Sequence, residues 1–127
     1  MAGIDGWWDG LVRDRAEAIL ELVINAIADD YESLATIVEC INERDRDFVA
    51  EDWPARRAVP VSRPEVVSAL KELIREGYAQ AYVLDAREPH ARAVKFREEE
   101  AGKLWFLVTS KGAEAVEWLM ARISSNS

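Results

Sequence analysis

Two groups of cations in this sequence are placed to do chemistry. Arg56, Arg57 and Arg63 follow one another with no acid between them, and Arg87, Arg92, Lys95 and Arg97 meet only Glu88 in opposition. Between the groups, Ser68, Lys71 and Arg75 fall on one polar face with Glu65 and Glu72 if residues 63–76 are helical. Guanidinium and ammonium groups in such places contact phosphates and set the register of a domain on a duplex, while donors on a helix face read base edges. About five neutralised phosphates would make such binding strongly salt-dependent. The same residue types also build an ordinary solvated surface, and on the helix face the two bases and two acids cancel.

Other chemistry finds less support. Cys40 and His90 are the single cysteine and histidine. A thiol nucleophile needs a base and a third group to orient it, on a rigid frame. One Cys and one His do not make a metal site. Glu98, Glu99 and Glu100 are adjacent rather than facing and lack calcium-loop spacing. No glycine-rich phosphate loop is present. The expectation is a protein that is not an enzyme, with no cofactor and no metal.

The elements that must position these residues centre on 62–84, SRPEVVSALKELIREGYAQAYVL. Ser62 suits an N-cap, Glu65 can reach back to the cap N–H, and Pro64 falls in the first turn where its missing N–H costs nothing. Val66, Leu70, Leu73 and Ile74 recur at helical spacing. Gly77 supplies the positive φ that ends a helix. Alternation then begins, with Tyr78, Tyr82 and Leu84 on a strand.

A second stretch, LWFLVTSKGAEAVEWL at 104–119, gives a strand, a Thr109 or Ser110 cap and a last helix with Val116, Leu119, Met120 and Ile123 on its apolar side. The helix of form V-x-x-A-L-x-x-L-x-x-x-G running into a strand resembles the third helix and second strand of a winged helix-turn-helix domain. The second stretch is similar to the closing wing strand and following helix, written Y-x-L-T-x-x-G. PadR-like and MarR-like bacterial regulators are the nearest in pattern. The resemblance covers residues 32–119. It implies a DNA-binding transcriptional regulator, a homodimer, contacting double-stranded DNA through helix 63–76 and a basic wing. Its DNA-contacting residues would be Arg56, Arg57, Arg63, Ser68, Lys71, Arg75, Arg92, Lys95 and Arg97. The alternative is a winged-helix protein-interaction or assembly module that binds no nucleic acid.

The rest of the chain is read in order. Residues 1–10 carry Trp7 and Trp8, either covering the edge of the core or anchoring a partner. Residues 11–29 show a wide apolar stripe: Val12, Ala16, Ile19, Leu20, Val23, Ile24 and Ile27. Either the whole stripe is internal, or part of it faces a second subunit as the long helices of those families do. In the dimeric reading Trp7, Trp8, Leu11, Ile19, Val23 and Trp118 form the interface. Asp29, Asp30 and Ser33 mark a turn, and 32–43 reads as a second helix on Leu34, Ile37, Val38 and Ile41, with Cys40 as a packed small hydrophobe. The link 44–61 is longer than in many helix-turn-helix domains. Phe48 and Trp53 could pin it, and Trp53-Pro54 breaks any helix. Residues 92–97 alternate and read as a flexible wing or a third strand, and 98–102 as a turn.

Length and composition bound these readings. A chain of 127 residues, half of them apolar, supports one domain with one core. We expect an N-terminal helix unit at 1–31, helix-turn-helix plus wing at 32–109, and a C-terminal helix and tail at 110–127. Helices are expected near 8–29, 32–43, 63–76 and 110–123, and strands near 78–84 and 103–109. The fold class is mainly α with a small antiparallel sheet, a winged helix-turn-helix. The net charge is −8 and the isoelectric point near 4.7, wrong for a bulk nucleic-acid binder. The deficit sits in residues 1–43, which hold 2 basic and 10 acidic side chains. The lone cysteine, and the lack of a long apolar run or a basic-then-apolar leader, lead us to expect a cytoplasmic protein with no membrane partner.

Overall fold

A computed structural model describes residues 15–48, 59–84 and 91–125. The elements are α1 (Arg15–Ala26), β1 (Glu32–Ser33), α2 (Leu34–Phe48), α3 (Arg63–Arg75), β2 (Ala79–Val83), β3 (Arg92–Val94), a 3₁₀ turn (Glu98–Lys103), β4 (Trp105–Val108) and α4 (Ser110–Ser125). The protein is mainly helical with one four-stranded antiparallel sheet of order β1-β4-β2-β3, a winged-helix-like arrangement. Expectations placed on Trp7, Trp8, Leu11, Trp53, Arg56, Arg57 and His90 lie outside the described residues.

Helix α3 forms as its sequence dictates. Glu65 N–H donates to Ser62 Oγ (3.3 Å) and Ser62 N–H donates to Glu65 Oε1 (3.0 Å), a complete capping box with proline in the first turn. Val66, Ala69, Leu70 and Leu73 are buried. Gly77, at φ +84°, ends the helix in a region that costs other residues energy.

The Gly77 corner is held by the start of α4. Thr109 N–H donates to the Tyr78 carbonyl (3.0 Å), Thr109 Oγ1 donates to the Gly77 carbonyl (2.6 Å), and Lys111 Nζ donates to the Glu76 carbonyl (2.9 Å). Thr109 also caps α4, accepting from Gly112 N–H at 3.1 Å. A Cβ on Gly112 would stand 2.0 Å from the Tyr78 carbonyl oxygen. The T-x-x-G pattern and the G at the end of α3 are therefore two halves of one joint.

The long link is anchored by a residue the sequence reading passed over. Asn42 on α2 makes a reciprocal pair with Val61: Val61 N–H donates to Oδ1 (2.7 Å) and Nδ2 donates to the Val61 carbonyl (3.0 Å). Helix α2 runs to Phe48, so the RDRDF segment at 44–48 extends the helix read at 32–43 by a further turn. A two-residue strand, β1, precedes it and pairs with β4, while the Ser33 hydroxyl caps the helix by accepting from Thr36 N–H at 3.2 Å.

The α1 stripe belongs to the core over most of its width. Val23 and Ile24 are fully buried and Ile19 is 4 % exposed within the single chain. That corrects the assignment of Ile19 and Val23 to a dimer interface: α1 packs against α2, α3 and α4, so its apolar width is spent on three neighbours of its own chain. The alternation in β2 resolves into two faces. Its core face is Ala79 and Ala81, and Tyr82 and Leu84 look the other way. Tyr78, one residue before the strand, is buried at the corner instead.

Candidate functional site

The surface to test is the outward strip of α3 and its two flanks. Arg63, Ser68, Lys71 and Arg75 are all exposed on it, as their helical spacing requires. Their positive charge is largely spoken for. Lys71 Nζ lies 2.9 Å from Glu98 Oε1 of the 3₁₀ turn, and Arg75 Nη2 lies 2.6 Å from Glu72 Oε1 and 3.8 Å from Glu76 Oε1. These pairs are exposed, so each contributes little to stability. Their bearing is on what the strip shows to a partner.

One flank is the 3₁₀ turn itself. Glu98, Glu99 and Glu100 are exposed. Ala101 is buried, and the turn packs against α2 and α3. The Arg63 guanidinium lies over Gly102, where a Cβ would meet Nη2 at 2.7 Å. The turn read from sequence as a connector is thus an acidic rim along α3, running from Lys71 to Arg63.

The other flank is a groove between α1 and α3 of about 490 Å³, lined by Arg15, Ala16, Ile19, Leu20, Pro64, Glu65, Ser68, Ala69 and Glu72. Arg15 bridges the two helices. Its Nε donates to Glu65 Oε2 (2.6 Å), and its Nη2 donates to Glu65 Oε1 (3.0 Å) and to the Pro60 carbonyl (3.0 Å). The Arg15 guanidinium, together with the Ser62 backbone N–H, pulls the Glu65 carboxyl down from its ordinary 4.5 to about 2.

The second cation group sits apart. Arg92, Lys95 and Arg97 are exposed along the β3 edge of the sheet and its continuation. Among the described residues they make no ion pair, and neither does Arg63. The structure therefore separates the residues that sequence grouped together: Lys71 and Arg75 are neutralised on α3, while Arg92, Lys95 and Arg97 occupy the sheet edge beyond the acidic rim. Trp118 is 40 % exposed on α4. Glu98 to Glu100 read from sequence as groups that would repel phosphate at a wing tip; the pairing of Glu98 with Lys71 was missed. The signal was a lysine at the exposed centre of α3, and only the path of the chain after β3 shows which carboxylate reaches it.

Among the described residues no group of three or more His, Cys, Asp and Glu could hold a metal ion, and no helix is long and apolar enough to cross a membrane. Comparison with family models, curated proteins and solved structures finds no match. The functional reading rests on the geometry alone.

Proposed function

We propose that this chain is a winged-helix protein-interaction module that does not depend on nucleic acid. The observation that carries it is the docking of an acidic turn beside α3, with Glu98 on Lys71 at 2.9 Å. A helix that enters a major groove must bring uncompensated donors to a surface lined with phosphates. Here carboxylates flank the outward strip on both sides, Glu98 to Glu100 on one and Glu65, Glu72 and Glu76 on the other. The net charge of −8 acts in the same direction at longer range. A second copy of the chain is one candidate partner, with Trp118 as its expected anchor.

A second reading, a duplex-binding regulator resembling the PadR-like and MarR-like proteins, is favoured by one observation. Arg63, Arg92, Lys95 and Arg97 carry positive charge that no ion pair consumes among the described residues. Titration of a labelled random duplex at low salt separates the two. The module reading expects no binding at roughly tens of micromolar, where non-specific DNA binders are already engaged. Salt-sensitive binding that is lost when Arg56, Arg57, Arg92 and Lys95 become Ala would support the regulator.

A further inference from the structure

We propose that the outer face of the sheet is a docking surface for an acidic, extended segment of a partner protein, an inference that rests on the interaction-module reading. Successive strand residues point to opposite faces. Ala79, Ala81 and Phe106 are buried on the core side. The register then sets Tyr82 opposite Trp105 and Gln80 opposite Leu107 on the far side, and Tyr31 meets Tyr82 edge-on with ring centroids 5.0 Å apart. These apolar groups are only half-buried, and Leu84 at the end of the row is 38 % exposed. The solvent side of an antiparallel sheet is ordinarily polar. Here it carries larger apolar side chains than the β2 residues that face the core, and tyrosine and tryptophan are the usual anchors of protein interfaces.

Charge identifies the partner. Phe96 packs inward on Phe106, with centroids 5.9 Å apart, so Lys95 and Arg97 on either side of it alternate toward the aromatic face. Both are exposed and outside every ion pair among the described residues, whereas Arg15, Lys71 and Arg75 are each held by a carboxylate. Among the described residues this is positive charge that no carboxylate pairs with, beside an apolar patch, and it is complementary to a segment that alternates carboxylates with apolar residues. The sheet order leaves β3 at the edge, so an extended chain has backbone groups to pair with. A single-stranded polynucleotide also offers negative charge. It is disfavoured by the net charge of the chain and by the edge-on Tyr31–Tyr82 contact, which occupies part of a ring face a base would stack on.

The test uses the full chain and a fluorescein-labelled peptide of about ten residues alternating Glu and Val, a length that spans one added strand. Binding is followed by anisotropy and by amide chemical shifts. The expected result is saturable binding with shifts at Tyr82, Ala93, Lys95 and Trp105. Changing Lys95→Glu and Arg97→Glu together should weaken it about tenfold. The same variant should gain affinity for the alternating Lys–Val peptide, which also shows that it is folded. Absence of binding, equal binding of the Lys–Val peptide by wild type, shifts confined to α3, or displacement of the peptide by labelled oligothymidylate would each overturn the proposal. Duplex binding by wild type would sink the parent reading without touching these shifts. Silent duplex together with absent shifts would sink the docking surface alone.

Discussion

At the scale of the residue, most of what sequence chemistry indicated about α3 is present atom for atom. Ser62, Glu65, Pro64 and Gly77 are local signals whose partners lie within a turn, and local signals survive folding. Ser62→Ala should cost about 1 kcal/mol of stability, read from the urea midpoint. Glu65 gives a pH prediction with a definite sign. Its folded pKa of about 2 lies below its ordinary 4.5, so the stability it contributes is present above pH 4.5 and is lost as the pH falls toward 2. Glu65→Gln should flatten the dependence of the urea midpoint on pH within that window and leave the slope above pH 5 unchanged. Lys71→Ala should change stability by no more than about 0.5 kcal/mol, since its pair with Glu98 is exposed. A larger loss would mean that the acidic turn depends on Lys71 for its place.

At the scale of the element, the joint between α3, β2 and α4 is the fixed point of the fold. Gly112→Ala drives a methyl group into the Tyr78 carbonyl, and its other near neighbour, Val108 Cβ, is fixed to the backbone and cannot swing away. We expect a loss of about 3 kcal/mol or more in thermal or urea unfolding. A near-neutral result would show that α4 does not seat as described. Four helices and two strands were legible because they rest on periodicity and capping, and β3 was read as one of two alternatives for 92–97. The two-residue β1 was not, since only pairing with β4 defines it. The sheet faces were not assigned from sequence: in β2 the bulk of Tyr82 and Leu84 lies outward, while Ala79 and Ala81 face the core beside Phe106. The acidity of 98–100 was plain in the sequence, but its place beside α3 was not, because its partners, Lys71 and Arg63, are far away in sequence.

At the scale of the whole molecule, charge decides between two uses of one shape. Fold alone does not select a function. The winged-helix-like arrangement supplies an outward helix and an exposed sheet edge; Glu98 to Glu100 flank the helix strip with carboxylates, while the cations that make no ion pair among the described residues, Arg63 apart, collect on the sheet edge. The sequence showed two cation groups and a self-cancelling helix face between them, but not that the acidic turn would stand beside that face. Burial of Val23 and Ile19 inside one chain also removes most of the α1 stripe from any assembly. Sedimentation should therefore report a monomer–dimer balance that responds to Trp118→Ala and not to conservative changes at Ile19.

The most direct measurement of the account compares wild type with Glu98→Gln/Glu99→Gln/Glu100→Gln in binding a labelled duplex across a salt series. If the acidic rim is what closes α3 to DNA, wild type stays silent up to roughly tens of micromolar and the triple variant acquires weak, salt-sensitive binding. Duplex binding by wild type at low micromolar concentration, unchanged in the triple variant, would contradict it.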